Sequence, residues 1–183
     1  MCNYLDDFNK KYNAQLSDKN IYIGFRDTWM LKIGKIDEVI FKELCRINFD
    51  SVEELELKFE DNIDISVLTK FSYHDLSFLG LIGKIRDINI LNKLPFKSLT
   101  TLFLSGNNFS NNDFNIFESM PFNNLTKLIF GGNKINDLKA LSKAKFHNLR
   151  ELLLLNNSIS DLNGIELFPF TNLEKLDLDN NLI

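Results

Sequence analysis

Apolar and polar positions in the second half of the chain follow one recurring pattern, LxxLxLxxNxI. Four copies begin at Leu99, Leu125, Leu149 and Leu173, and they read LTTLFLSGNNF, LTKLIFGGNKI, LRELLLLNNSI and LEKLDLDNNLI. Every second residue of the LxL portion is apolar, which is typical of a strand with one buried face. Because the copies recur in register, the pattern predicts stacked units whose strands form a parallel sheet.

An aromatic residue stands three positions before each copy and extends the register toward the N-terminus. These residues, which follow one another at intervals of 23 to 26 positions, are Phe49, Tyr73, Phe96, Phe122, Phe146 and Phe170. Two weaker copies without the consensus asparagine therefore begin at Val52 and Leu76. About six units are expected, with the aromatic side chains forming a buried spine where the strands begin.

Asparagines follow the strands at the place where the chain must turn inward. They are Asn107, Asn133, Asn157 and Asn181. An amide side chain both donates and accepts hydrogen bonds, so a column of asparagines can satisfy backbone groups that leave the sheet. We therefore assign these residues a structural role.

Beyond each asparagine, apolar residues recur at every third position, which predicts a 3₁₀ helix or a short α-helix. Aspartates stand just before the second of these positions, where helix N-caps are expected. They are Asp64, Asp87, Asp113, Asp137 and Asp161. The unit from Leu99 has two extra positions within GNNFSNNDF, and we assign this surplus to a connecting loop.

The N-terminal part departs from the repeat pattern. Residues 1–20 have the apolar spacing of a short amphipathic helix, and residues 21–25 and 29–33 are candidate strands. Asp37 is positioned to cap a helix with an apolar stripe. We predict an N-terminal cap over residues 1–48, with a degenerate repeat inside it as an alternative, and about six repeats over residues 49–183, the last one incomplete.

The recurring copies resemble those of the leucine-rich repeat family over at least residues 49–183. The resemblance implies an α/β fold: a right-handed leucine-rich repeat solenoid, or horseshoe, with a parallel concave β-sheet and short convex helical or 3₁₀ segments. It also implies a non-enzymatic protein–protein interaction module that binds a partner protein on its concave face.

Strand positions that the repeat does not specify point toward the concave face in this family. Several of them are apolar although the fold does not require it, and exposed apolar patches commonly mark partner sites. Charged residues frame the apolar ones, as in an interface with a polar rim. The predicted partner-binding residues are Phe78, Ile82, Phe103, Lys127, Ile129, Arg150, Leu153, Leu155, Lys175, Asp177 and Asp179. The alternative is that a cap, a missing segment or a twin subunit permanently covers this stripe.

Composition and charge narrow the partner class. Hydrophobic residues make up 44% of the chain and charged residues 25%, which is typical of a folded protein. No apolar run approaches the roughly 18 residues of a membrane helix, so no membrane association is expected. The net charge of −4 argues against a nucleic-acid partner. The first residues lack the apolar core of a secretory signal, which favours a cytoplasmic location.

No catalytic, cofactor or metal site is predicted. His74 and His147 lack partners at a recognised spacing for general base or metal chemistry. The acidic cluster between Glu53 and Asp64 lacks the ordered spacing of a calcium loop. The Gly131-Gly132 pair lacks the lysine and hydroxyl residue of a phosphate loop.

The last copy stops at Ile183, immediately after its asparagine turn. An array without a cap exposes its last strand and the open end of its core. We therefore expect either a fragment or a subunit whose end is covered, with end-to-end self-association as one way of covering it. The alternative functions are a recognition segment of a larger effector or enzyme chain, and a structural subunit of a large assembly.

Overall fold

The structure is a computed structural model that describes residue 10 and residues 21–25, 29–36, 52–59, 64–70 and 75–183. These residues form a single eight-stranded sheet whose strands lie in sequence order. The helices predicted within residues 1–20 and after Asp37 lie outside the described residues, apart from residue 10. The same holds for Phe49, Tyr73 and His74.

The sheet begins with an antiparallel pair and continues as a parallel array. Its strands are β1 Ile21–Phe25, β2 Trp29–Ile36, β3 Val52–Phe59, β4 Phe78–Ile82, β5 Thr101–Phe103, β6 Lys127–Ile129, β7 Glu151–Leu153 and β8 Lys175–Asp177. Both predicted N-terminal strands are present, and β2 continues past its predicted end at Ile33. Strands β3 to β8 correspond to the six predicted repeats, and each pairs in parallel with the next.

Short 3₁₀ helices return the chain from one strand to the next, as the period of three predicts. They are η1 Ile65–Lys70, η2 Ile88–Lys93, η3 Asn111–Glu118, η4 Lys139–Lys143 and η5 Ile165–Leu167. In the middle of the array their apolar residues are buried, for example Leu91 and Leu141. In the unit from Leu149, Leu162 is 44% exposed and Leu167 is 53% exposed, since no described helix packs on the far side of η5.

The core lies between the sheet and these helices. Leu152 and Leu154 are fully buried, whereas Leu153 and Leu155 are only half-buried on the other face of the sheet. The predicted aromatic spine is confirmed at its four described positions, which are Phe96, Phe122, Phe146 and Phe170. The alternation within LLLL therefore separates two core residues from two outward ones.

The surplus of the unit from Leu99 is not a connecting loop, so that prediction is wrong. Helix η3 is eight residues long, against six in η2, and it buries Phe114 and Phe117. The ring of Phe117 lies 5.5 Å from that of Phe130 and 5.4 Å from that of Phe146, both edge to face. The extra residues lengthen the helix, and the apolar residues of NDFNIF pack into the core, because burial of large aromatic rings strongly favours packing over a solvated loop.

The helix N-cap prediction holds for Asp87, whose carboxylate accepts a hydrogen bond from the Asn89 amide at 2.9 Å. Asp64 accepts the equivalent bond from the Ser66 amide at 2.8 Å. For Asp113 it is wrong: η3 is capped by Ser110, whose amide and hydroxyl donate to the Asp113 carboxylate as in a capping box.

Asp137 and Asp161 are not N-caps either. Each accepts a 2.8 Å bond from the amide two residues later. The helices that follow are preceded instead by Leu138 and Gly164. These two aspartates therefore form local turns, which satisfy one amide without starting the helix.

Replacement of Phe146 by alanine should lower the free energy of unfolding by about 3–5 kcal/mol, because its ring is buried among aromatic neighbours that cannot fully collapse. Urea unfolding measures the loss. Phe168→Ala is the matched control, since this ring is only partly buried and packs on Phe170 at the end of the array. Equal losses for the two variants would contradict the spine.

Candidate functional site

The turns that leave the concave strands are held by the predicted asparagine column. The Asn133 side-chain oxygen accepts hydrogen bonds from the backbone amides of Asn107 and Phe109, both at 3.0 Å. Its amide group donates to the carbonyls of Leu104 and Phe130 at 3.1 and 2.9 Å. One and two units later, Asn157 and Asn181 donate to carbonyls in the same way, and each accepts from one backbone amide, that of Ile135 or Ile159. Each asparagine thus ties its own turn to the preceding unit, which confirms the structural role.

The column begins imperfectly at Asn107. Its amide group donates to the carbonyls of Leu81 and Leu104 at 2.8 and 2.9 Å, but its buried oxygen has no hydrogen-bond partner among the described residues. The preceding unit turns at Gly83 with a φ of +116° and presents no amide to this oxygen. Among the described residues, Asn107 therefore bonds through its side-chain amide group alone, while its side-chain oxygen accepts no hydrogen bond.

A second, exposed asparagine column was not predicted. The side-chain amides of Asn124, Asn148 and Asn172 donate to carbonyls of the preceding unit at 2.9–3.0 Å. Each stands one residue before the first leucine of a copy. That periodic position is the sequence signal that would have revealed it.

The two adjacent glycines after β6 serve different local needs. Gly132 has a φ of +64°, the left-handed conformation that Asn156 and Asn180 adopt at the same place in later units. Gly131 lies under Leu155, and a Cβ on this glycine would stand 3.0 Å from the Leu155 side chain. The repeat geometry therefore accounts for both glycines without a bound ligand.

Outward side chains of neighbouring strands stand in register across the concave face. The central column contains Phe103, Ile129 and Leu153, which are paired directly on β5, β6 and β7. Gly80 precedes them on β4, and Asp177 follows them on β8. All three apolar side chains are half-buried. We call Phe103, Ile129 and Leu153 the apolar stripe.

The other predicted apolar residues lie around this stripe at different distances. Phe78 belongs to the first column, which contains the outward residues two positions before the central ones. It leans over Gly80, where a Cβ would stand 3.1 Å from its ring. Leu155 is next to Leu153 along the chain direction and leans over Gly131. The structure therefore brings Phe78 and Leu155 to the stripe, whereas Ile82 pairs with Lys58 near the other end of the array.

Two of the predicted charged residues form ion pairs with the equivalent position of the next repeat. The Lys127 ammonium lies 2.7 Å from the Glu151 carboxylate, inside the first column. The Arg150 guanidinium lies 2.8 Å from the Glu174 carboxylate, just before β7 and outside the columns. Lys127 donates a hydrogen bond that lowers the pKa of Glu151 below its usual range, and the charges of Lys127 and Lys175 act in the same direction.

The remaining predicted residues belong to the last strand and its turn. Lys175 is exposed in the first column, while Asp177 stands beside Leu153 in the central column. Asp179 follows on the same face, and its amide donates to the Asp177 carboxylate at 3.1 Å. Within the described part of the chain, neither aspartate forms an ion pair.

Over the described ranges, no group of three or more histidine, cysteine, aspartate or glutamate side chains is arranged to hold a metal ion. Nor do those ranges contain a helix with the length and apolar character needed to cross a bilayer. The uncapped C-terminal repeat from Leu173, in which Leu182 and Ile183 are exposed, is the part that the sequence assigned to end-to-end contact. Self-association through it stays a prediction.

Comparison with known proteins identifies the architecture. The chain is similar to internalin C2 from Listeria monocytogenes, with a TM-score of 0.55 and 24% sequence identity. The alignment covers 83% of this chain and 59% of the internalin chain, so this chain spans little more than half of that protein's length. The chain folds as a leucine-rich repeat protein.

A second Listeria monocytogenes internalin, inlF, is 22% identical to this leucine-rich repeat chain, with a TM-score of 0.42. That alignment covers 81% of this chain and 53% of the other. No family model and no curated protein sequence matches the chain.

Asn133→Ala should destabilise the array more than Asn107→Ala. The first change leaves the backbone amides of Asn107 and Phe109 without their acceptor, while the carbonyls of Leu104 and Phe130 keep bonds from Asn107 and Asn157. The second change removes a donor from carbonyls only, chiefly that of Leu81. At about 1–3 kcal/mol for each unsatisfied buried group, the difference in unfolding free energy should reach about 1–3 kcal/mol. Urea unfolding of the two variants measures this difference in free energy. Equal losses would contradict the assignment that the Asn133 oxygen accepts hydrogen bonds and the Asn107 oxygen does not.

The carboxyl group of Glu151 should titrate below the usual glutamate range in the folded chain, as measured by carbon-detected NMR. Lys127→Met should raise this pKa, whereas Arg150→Met should not, since that guanidinium pairs with Glu174. Because the folded pKa is the lower one, the stabilisation is present at neutral pH and is lost as pH falls through it. A Glu151 titration unchanged in Lys127→Met contradicts this assignment.

Proposed function

We propose that this leucine-rich repeat chain is a non-enzymatic protein-interaction module whose partner binds on the concave face. The observation that carries the proposal is the apolar stripe, three outward side chains paired on neighbouring strands. Their inward neighbours Leu102, Leu128 and Leu152 are fully buried and already supply the core. The outward residues are therefore not needed for folding, and their apolar character favours a second protein surface.

The surroundings of the stripe support a protein partner. Phe78 and Leu155 enlarge the apolar centre, while Lys127, Lys175, Asp177 and Asp179 surround it with charge. An apolar centre within a polar rim is the composition of a protein interface. Large aromatic side chains such as Phe103 commonly contribute most to binding energy at such surfaces.

We also propose the division into an N-terminal cap over residues 1–48 and repeats over residues 49–183. The antiparallel pairing of β1 with β2 supports it, because it gives the first strands a geometry that the later ones lack. Such a pair covers one edge of the parallel array. The cytoplasmic location stays a prediction.

Site-specific photocrosslinking tests the concave face. Phe103→p-benzoylphenylalanine keeps an aromatic side chain in the stripe, so illumination in an extract of the source cells should yield a discrete crosslinked protein. The product should disappear when Leu153→Asp is added, because a buried charge in the interface opposes binding. Far-ultraviolet circular dichroism should be unchanged, as both side chains point away from the core.

The matched control carries the same photoreactive residue at Asn115, which is exposed on helix η3 on the opposite side of the core. It should give no such product. Equal crosslinking from positions 103 and 115, or a product that survives Leu153→Asp, would overturn the concave-face proposal.

A further inference from the structure

The apolar stripe ends directly at two carboxylates. Leu153 pairs with Asp177 across β7 and β8. Beyond that pair, the amide of Asn156 donates to the Asp179 carbonyl at 2.8 Å, which places Asp179 beside Leu155. Two leucines and two aspartates therefore form a square on the concave face.

Other charges nearby are neutralised by ion pairs, whereas these two have none among the described residues. Lys127 pairs with Glu151, and Arg150 pairs with Glu174. Neither Asp177 nor Asp179 has an ion pair within the described residues, and Lys175 stands in the first column beside Glu151. The central column therefore ends in a carboxylate, and so does the third column, which holds Leu155 and Asp179; both carboxylates lie next to apolar surface and lack a countercharge among the described residues.

The apolar half and the acidic half of this square together fit one type of side chain, a long cationic one. Lysine and arginine lay an aliphatic stem along apolar surface while their charged head remains at a polar edge. We propose that the partner is a basic, apolar polypeptide segment. Its lysine or arginine lies with its stem on Leu153 and Leu155 and its charge between Asp177 and Asp179. This inference rests on the proposed function and adds the chemistry of the partner.

The sheet geometry also sets the spacing within that segment. Neighbouring strands are about 4.8 Å apart, so the Asp177 position lies about 14 Å from Phe103 and about 10 Å from Ile129. An extended chain advances about 3.3 Å per residue. A segment that crosses the strands therefore carries its cation about three or four residues from the apolar side chain that covers Phe103 and Ile129.

A second copy of this chain fits the square less well. Its exposed large apolar side chains among the described residues are Leu162, Ile165, Leu167, Leu182 and Ile183. The first three form a surface within residues 160–174, which contain no lysine or arginine. That surface cannot supply the cation that Asp177 and Asp179 require. Charge complementarity therefore favours a basic partner segment over self-association on this face.

A random library of linear peptides of about twelve residues, displayed on phage and selected on the full chain, is the probe. Enriched peptides should contain lysine or arginine three or four residues from a large apolar residue. Their affinity should fall roughly tenfold on Asp177→Asn/Asp179→Asn, as two partly exposed charge contacts would give. Added salt should weaken binding to the unmodified chain but not to this variant.

The charge-matched control is Asp75→Asn/Glu118→Gln, which removes two exposed carboxylates away from the concave columns and should leave affinity unchanged. Peptides without a basic preference, or with equal affinity for the Asp177/Asp179 variant, overturn this inference while leaving the proposed function standing if they still require Phe103. Peptides that bind Phe103→Asp as well as the unmodified chain count against both.

Two further outcomes also overturn the inference. The first is no enrichment above an unrelated bait, in which case the crosslink at position 103 still decides the proposed function. The second is a concentration-dependent dimer in sedimentation velocity that Phe103→Asp dissolves, because the occupant of the face is then a second copy.

Discussion

Backbone groups that leave the sheet and enter the core must find hydrogen-bond partners there, and this requirement shapes every unit of the array. Asn133 meets it by accepting from two amides of the preceding unit and donating to carbonyls of both units. One amide side chain thereby couples two turns, so that each unit is stable only beside a neighbour. The one-sided bonding of Asn107 marks where this coupling starts.

The inward side chains of the strands form the core, and the asparagines bond the turns. The outward positions of the same strands are therefore not constrained by the fold. Leu152 and Leu153 are adjacent and chemically identical, yet one is fully buried and the other half-exposed. The period of two in a strand produces this separation. Stacking then aligns equivalent outer positions, so that residues about 24 positions apart in sequence become neighbours in a column.

The period of the sequence was sufficient to predict the strands, the asparagine column, the aromatic spine and the alignment of Phe103 with Ile129 and Leu153. It failed where neighbouring side chains decide the outcome. The extra residues before Phe114 and Phe117 look like a loop until the packing around Phe130 is known. Asp113 resembles its periodic equivalents, but Ser110 occupies the cap position, and its amide and hydroxyl both donate to the Asp113 carboxylate.

The columns also explain why some charges are neutralised and others are not. Equivalent positions on paired strands are close enough for opposite charges to attract and for like charges to repel. Lys127, Glu151 and Lys175 therefore alternate in sign along the first column, and Lys127 and Glu151 are in contact. The central column instead passes from three apolar residues to Asp177, whose neighbour Leu153 offers no countercharge. Within the described residues, the Asp177 carboxylate accepts a hydrogen bond from the Asp179 amide but has no countercharge, so its charge is available to a cation that approaches from outside.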